Sequence, residues 1–286
     1  MISPYVRRLR LADEVRSLRQ DAALTQEQLG RRIGKSRADI SRLESGHTVD
    51  QADVLGILEA LGVGGDRWTQ IMTIAREASE TGWWESHKSM GERQTLIADL
   101  EAGASVIRAY EQTFVPGLLQ IPEFVRARSV ATATLEPVSG TVDGILAGRA
   151  GRQRMLRRPG GPTLEVIVDE VAVSRLAAPA HVVKKQLYHL ATAVNEDPNI
   201  TLRVLPVHAL IKDFTVPRSA FTMFTYPDPG DPDVVAVDTV TSDLILTAKD
   251  QVAPYDRLYE RLREAALLPE DSIELLTKAA AGLADA

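Results

Sequence analysis

Apolar residues recur with the period of short amphipathic helices along the first 80 residues of the chain. The first such segment places Val6, Leu9, Val15 and Leu18 at helical spacing, with Arg and Asp between them. Further segments of the same kind lie at residues 24–33, 37–45, 51–61 and 66–79. Glycines between the segments mark their ends. The pattern predicts an all-α head of five helices over residues 1–79.

From residue 80 onward the pattern changes to strand-like runs separated by helical stretches. Runs of strand-forming residues lie at 105–110, 164–169, 201–205, 221–226, 234–240 and 244–247. Helical stretches lie at 123–130, 145–156, 182–195 and 255–266. Residues 159–162 and 227–232 are rich in proline and glycine and are typical of turns. The sequence therefore predicts two domains, in which a mixed α/β (α+β) body over residues 80–286 follows the helical head.

Charge divides the chain in the same way. Residues 1–47 carry ten basic and six acidic side chains, a net charge of +4, whereas the rest of the chain has a net charge of −10. A basic head suits a polyanionic partner, and an acidic body would repel one. The chain has no cysteine, no apolar core of a signal peptide near its N-terminus and no apolar run of membrane-spanning length. We therefore expect a cytoplasmic protein that binds no membrane.

No pattern in the body is specific to an enzyme. The two nearest histidines there, His181 and His189, are eight residues apart, which is not a metal-ligand spacing. There is no glycine-rich phosphate loop and no nucleophile elbow. Asp169 and Glu170 end a predicted strand, where carboxylates serve either in catalysis or as helix caps. We expect no catalytic activity, no metal site and no cofactor.

Two start signals for helices follow each other closely in the head. Thr25 can cap a first helix, and Gln28 occupies the reciprocal capping-box position. Ser36 and Asp39 repeat that arrangement for a second helix. Gly34 between them can adopt the left-handed conformation that ends a helix. The segment predicts two short helices joined by a tight turn.

The second of these helices has an apolar inner side and a basic outer side. Its predicted outward residues are Arg37, Ala38, Ser41 and Arg42. Such a helix fits the major groove of DNA, which is about 12 Å wide, and an arginine there discriminates guanine by about 1–3 kcal/mol. Gln26 and Ser36 lie at helix N-termini, where phosphates are held. A helical domain of this kind can also serve protein contacts, but the outer arginines favour double-stranded DNA.

This segment resembles the helix-turn-helix of the Cro/C1-type regulators, the xenobiotic-response-element family. The resemblance covers residues 24–30 and 36–46. It implies a lambda-repressor-like head that binds DNA as a homodimer. The DNA-facing positions that it implies are Gln26, Ser36, Arg37, Ala38, Ser41 and Arg42. It also implies a structural ion pair between Arg19 and Glu44, which would not contact bases.

The body resembles the C-terminal domain of WhiJ-like regulators of filamentous bacteria, in which a Cro/C1-type head precedes it. The matching segments are 82–84, 114–124, 149–153, 168–170 and 199–206. Ile121 departs from that pattern, which usually has threonine there. The resemblance implies a bacterial transcription regulator, antitoxin-like, that binds a small protein encoded nearby.

Several residues of the body are candidates for binding that partner or a ligand. They are Trp83, Trp84, Gln120, Arg149, Arg152 and Gln153. Tryptophans are common interface anchors, although one of two adjacent tryptophans is expected in a core. The arginines lie on one helix face and suit an anion or a partner, but they also suit a solvated helix.

Three hypotheses for the body remain open from the sequence. In the first, it binds a small protein partner that alters DNA binding. In the second, the protein is a one-component regulator whose body senses a small molecule. In the third, the body is an enzyme that the head brings to DNA. A partner surface is broad with aromatic anchors, whereas a ligand site is concave and apolar with a few polar groups.

Overall fold

A computed structural model describes residues 1–47, 50–134, 140–239 and 243–283. The chain forms two compact units. The first unit comprises Met1–Ser86 and Pro227–Pro232, and the second comprises His87–Tyr226 and Asp233–Ala286. The first unit therefore extends beyond residue 79, where the sequence places the boundary. It also includes the predicted turn at 227–232, because Asp228 accepts a 2.6 Å hydrogen bond from Arg10.

The first unit is a bundle of short helices. They are α1 (Pro4–Asp21), α2 (Gln26–Arg32), α3 (Arg37–Leu43), α4 (Gln51–Ala60) and α5 (Gly65–Ala78). Local signals start several of them: Ser3 caps α1 and is followed by a proline, and the side chain of Asp50 caps α4. Buried apolar side chains from all five helices form one core. The predicted all-α five-helix head is confirmed.

The second unit is built on one mixed sheet. Its strands, in the described residues, are β1 (Val106–Glu111), β2 (Thr163–Asp169), β3 (Ile200–Leu205), β4 (Phe221–Thr225), β5 (Val234–Asp238) and β6 (Asp243–Leu246). Their order is β3-β2-β1-β4-β5-β6. Strands β1, β2 and β3 are parallel, and β4, β5 and β6 add antiparallel neighbours. The predicted α+β body is confirmed, while Val240, which the sequence includes in the fifth strand, lies outside the described residues.

The second unit also contains helices, which precede, separate and follow the strands along the chain. They are α6 (Glu92–Gly103), α7 (Pro122–Ala133), α8 (Val142–Leu156), α9 (Glu170–Ser174), α10 (Ala180–Glu196), α11 (Lys249–Ala265) and α12 (Pro269–Ala281). The sequence predicts α7, α8, α10 and α11 but not the other three. None of the helices in the described parts of the chain is long and apolar enough to cross a membrane.

The two faces of the sheet are covered differently. On one face, Tyr110, Phe221 and Val235 form a core with Val252 and Tyr259 of α11. The residues that alternate with these along the strands point to the opposite face. That second face includes Ile107, Ala109 and Glu111 of β1, and it forms part of the wall of a cavity.

Candidate nucleic-acid interface and the second-unit cavity

Helices α2 and α3 both begin with a complete capping box. The Thr25 hydroxyl accepts from the Gln28 backbone N–H at 3.2 Å, and the Thr25 N–H donates to the Gln28 side chain at 2.8 Å. The Ser36 hydroxyl accepts from the Asp39 N–H at 3.2 Å, and the Ser36 N–H donates to the Asp39 carboxylate at 3.0 Å. These local hydrogen bonds fix where each helix begins, as the sequence predicts.

The turn between the two helices depends on glycine. Gly34 has a φ of 69°, which is the left-handed conformation that glycine adopts without strain. Gly30 is buried, and a Cβ atom there would lie 2.6 Å from the Lys35 carbonyl oxygen. Two glycines therefore let the chain reverse tightly and bring α3 close to α2.

Helix α3 presents a basic outer side. Ile40 and Leu43 are buried in the core of the first unit. Arg37, Ala38 and Arg42 are exposed, and Ser41 is half-buried. The Arg37 guanidinium has no ion-pair partner among the described residues, so it is available to an anion or a base edge.

Arg42 and Ser36 are less available than Arg37, because both contact Asp39. The guanidinium of Arg42 forms an ion pair with the Asp39 carboxylate. The Ser36 hydroxyl also donates to that carboxylate at 2.7 Å. The hydrogen bonds from Ser36 and Arg42 lower the pKa of Asp39 to about 2, so this carboxylate stays ionised at neutral pH. The charge on the outer side of α3 is therefore carried mainly by Arg37.

A buried ion pair joins α1 to the end of α3. The Arg19 guanidinium donates to both carboxylate oxygens of Glu44, at 2.6 and 3.0 Å, and Glu44 is 3% exposed. Gln26 also donates to Glu44, at 3.0 Å. Burial alone would raise the pKa of Glu44, but the hydrogen bonds from Arg19 and Gln26 outweigh it and lower that pKa. Gln26 is thus held at the start of α2, facing outward only in part.

The candidate residues of the body do not form one site. Trp83 and Trp84 belong to the first unit, where their rings meet edge to face at 6.0 Å. Trp84 is 2% exposed, so it is a core residue and cannot be the anchor of an interface. The other four candidates belong to the second unit.

The two glutamines of the second unit hold a turn together. The Gln120 amide donates to the Val115 carbonyl at 2.8 Å. The Gln153 amide donates to the carbonyls of Leu118 and Gln120, at 3.2 and 2.8 Å. These bonds connect α8 to the segment before α7 and give both glutamines a structural role.

A cavity of about 200 Å³ lies between the sheet and two helices of the second unit. Its sheet wall comes from β1, β2, β4 and β5 and is mainly apolar, with Ile107, Val166 and Phe224 among its residues. Helices α6 and α8 line it with charged and polar side chains, together with Phe114 and the turn that follows it. Arg149 and Arg152 both line this cavity, and Gln120 lies at its wall.

Arg152 is neutralised inside the protein. Its guanidinium donates to both oxygens of Glu101, at 2.7 and 2.5 Å, and also to Gln94. The side chains of Arg152 and Glu101 are 6% and 7% exposed. The interpretation of Arg152 as a residue of a solvated helix face is therefore wrong, because this side chain is buried and paired.

Arg149 and Glu111 also line the cavity, but the structure gives neither a direct partner among its described residues. The Arg149 Nε is buried without a hydrogen bond. Burial raises the pKa of Glu111 to about 8, and it lowers the pKa of Arg149. Gly117 makes room for Arg149, since a Cβ there would lie 2.0 Å from its Nη1.

Glu111 and Glu101 line the cavity although neither is among the residues predicted from the sequence. The alternation of Ile107, Ala109 and Glu111 was a signal that could have placed the carboxyl group on one face of β1. The sequence allows Asp169 to serve either in catalysis or as a helix cap. In the structure its carboxylate caps α9 and accepts a 3.0 Å hydrogen bond from the Tyr110 hydroxyl.

The capped pair α2 and α3, with an exposed basic side on α3, defines a helix-turn-helix domain of the DNA-binding class. Residues 10–68 match the family model of a helix-turn-helix domain. Residues 94–278 match the model described as a domain of unknown function, DUF5753, and the chain belongs to this family. No curated protein and no solved structure matches the chain.

Proposed function

We propose that this protein is a cytoplasmic transcriptional regulator that binds specific DNA sequences through α3. The observation that carries the proposal is the outer side of α3, where Arg37 is exposed beside the small Ala38 and forms no ion pair with any residue that the structure describes. This side lies opposite Ile40 and Leu43, so the head can present it to DNA without unfolding.

Among the predicted contacts, the geometry distinguishes Arg37, Arg42 and Ser36. Arg37 can donate hydrogen bonds from the N–H groups of both terminal nitrogens to the two acceptors of one guanine. Arg42 keeps further N–H groups beside its ion pair with Asp39 and can reach a base or a phosphate. The Ser36 hydroxyl is already used in the cap beside the Asp39 carboxylate, so Ser36 is a weaker candidate for a DNA contact than Arg37.

We expect the substitution Arg37→Ala to weaken binding to the preferred DNA site about 10- to 100-fold, which is about 1–3 kcal/mol. Arg42→Ala should have a smaller effect, because Asp39 already neutralises part of its charge. The measurement is fluorescence anisotropy over a salt series, with a site selected from random DNA by the wild-type protein. Losing a phosphate contact would lower the salt slope by about one, whereas losing a base contact would relax the preference for one base pair.

The control for this experiment is Arg76→Ala, which removes an exposed arginine at the end of α5, away from α3. It should leave affinity and sequence preference unchanged. If the variant lacking both Arg37 and Arg42 binds the selected site as the wild type does, α3 is not the recognition helix.

We further propose that the head acts as a Cro/C1-type homodimer. Two linked heads multiply affinity when they bind half-sites one helical turn apart. The matched helix-turn-helix model supports DNA binding by one head. The dimer rests on the resemblance of residues 24–30 and 36–46 to Cro/C1-type regulators.

For the second unit, we propose an antitoxin-like, WhiJ-like role in which it binds a small protein partner. An exposed apolar segment between β3 and β4 supports this role. Leu210, Phe214 and Val216 are 76%, 84% and 78% exposed. Asp213 and Phe214 have φ values of 56° and 54°, a conformation that costs a bulky side chain about 1–3 kcal/mol. Arg261 holds the segment through a 2.9 Å ion pair with Asp213, so Phe214 is presented outward rather than buried.

We expect Phe214→Asp to weaken the complex with the proposed partner, a small protein encoded beside this chain, by about 2 kcal/mol or more, as for a hot spot of an interface. The matched control is Val130→Asp on α7, which also places a carboxylate at an exposed apolar position. Isothermal titration calorimetry with the purified small protein measures both. The proposal fails if the wild type does not bind that protein, or if Phe214→Asp binds it as tightly as Val130→Asp does.

The second candidate function for this unit is the sensing of a small molecule. The cavity beside Arg149 and Glu111 favours it, because a concave apolar wall with a few charged groups is typical of a ligand site. In that case the protein is a one-component regulator. The enzyme hypothesis has no comparable support, and we propose a non-catalytic role.

A further inference from the structure

Two ionisable side chains of the cavity, Arg149 and Glu111, have no direct hydrogen-bond or ion-pair partner in the described parts of the chain. Arg152, the neighbour of Arg149 on α8, already has the Glu101 carboxylate and the Gln94 amide as partners. Arg149 has no ion pair or side-chain hydrogen bond within the described ranges, and neither has the Glu111 carboxyl. The guanidinium of Arg149 and the carboxyl of Glu111 therefore remain available to a bound molecule.

Such groups are costly in a folded protein. A buried polar group without a hydrogen bond destabilises the fold, and a buried charge without a partner destabilises it more. The Nε of Arg149 is fully buried and has no hydrogen-bond partner among the described residues, and Gly117 lets the guanidinium lie against the turn. A ligand that supplies an anion to Arg149 and a cation to Glu111 would satisfy both groups.

The remaining wall limits the size and the character of that ligand. The volume of about 200 Å³ is below the range of roughly 300–1,000 Å³ that is usual for drug-sized ligands, so the molecule is small. The sheet wall adds aliphatic and aromatic side chains, including Ile107, Leu164 and Phe224. These accommodate a short apolar group.

We propose that this cavity binds a small zwitterion of the α-amino acid class, with its carboxylate on Arg149, its ammonium group on Glu111 and its side chain on the apolar sheet wall. A guanidinium forms two parallel hydrogen bonds to a carboxylate, which fixes the orientation of the ligand as well as its charge. The proposal rests on the second candidate function given above, in which the second unit senses a small molecule. It does not depend on how the head binds DNA.

The test titrates the full-length protein, at pH 8, with each of the twenty standard amino acids, using calorimetry and thermal unfolding. For each amino acid that binds, two matched compounds are measured: the carboxylic acid without the amine, and the amine without the carboxylate. We expect at least one amino acid to bind, and both matched compounds to bind at least tenfold more weakly. The assignment is overturned if no amino acid binds at millimolar concentration, or if the carboxylic acid alone binds equally well.

Variants then locate the site. Arg149→Gln and Glu111→Gln should each weaken binding at least tenfold, and Glu111→Gln keeps the shape of the side chain if the arginine variant folds poorly. The control is Arg154→Gln, an exposed arginine of the same helix that does not line the cavity, and it should bind as the wild type does. Wild-type affinity in both cavity variants would place the ligand elsewhere. Binding of each variant to the selected DNA site is measured separately, so that a failure of the ligand proposal is distinguishable from a failure of DNA recognition.

Discussion

Replacing Glu101 with leucine is expected to lower the free energy of unfolding of the second unit by about 3–5 kcal/mol. The substitution leaves the guanidinium of Arg152, which is 6% exposed, buried without its carboxylate. Gln94 remains as a neutral partner and cannot compensate for the charge. Hydrogen exchange measured by mass spectrometry should show the loss of protection first in α6 and α8, which carry the pair.

The double variant Glu101→Leu with Arg152→Met tests the cause. If the loss comes from an unpaired charge, the second substitution should restore most of the stability, because apolar side chains can replace a buried ion pair at little cost. The matched control is Glu123→Leu, which removes an exposed carboxylate 3.9 Å from Lys185 and should cost less than about 1 kcal/mol. A loss for Glu101→Leu no larger than for Glu123→Leu would show that the buried pair does not hold α6 and α8 together.

The helix-turn-helix could be predicted from sequence because its determinants are local. Each capping box involves two residues three positions apart, Thr25 with Gln28 and Ser36 with Asp39, and the structure forms both. The buried pair of Arg19 and Glu44 is not local, and only the resemblance to Cro/C1-type heads suggested it. The roles of these residues in DNA binding remain predictions.

Where helices lack such local signals, the sequence predicts their first residues less well. Helix α6 begins at Glu92, after an N-cap residue, Gly91, that has a φ of 88° and no side chain to cap the helix, and the sequence does not predict it. The sequence predicts that helix α11 covers residues 255–266 and begins directly after Pro254. It begins at Lys249 instead and tolerates the proline inside, with Val252 and Tyr259 buried against the sheet on either side of it. Packing of an amphipathic face outweighs the loss of one backbone hydrogen bond there.

The cavity could be predicted only in part. The spacing of Arg149 and Arg152 correctly places them on one face of a helix, and both line the cavity. Which of the two is free depends on Glu101, about fifty residues earlier in the chain, which pairs with Arg152. Such long-range pairing depends on how α6 and α8 pack on the sheet, and no local pattern encodes it.

The second large effect concerns Glu111. We expect Glu111→Gln to stabilise the second unit by about 2–4 kcal/mol at pH 8 and to change its stability little at pH 5. Burial, reinforced by Asp238, raises the pKa of this carboxyl to about 8, whereas in the unfolded chain it is about 4.3. Between these values the folded protein holds a proton that the unfolded chain has released. Stability of the wild type therefore falls as the pH rises from about 4.5 through 8.

Urea unfolding followed by circular dichroism at several pH values measures this effect. The glutamine variant resembles the protonated carboxyl at every pH, so the decline that is due to Glu111 should disappear from its profile. Glu274→Gln, which removes an exposed carboxylate of α12, should leave the wild-type decline in place. If the free energy of unfolding falls with pH equally in the wild type and in Glu111→Gln, then water or Arg149 already compensates the ionised carboxylate. The same result would weaken the case for a ligand ammonium at this position, since that case depends on Glu111 being a costly anion in the empty cavity.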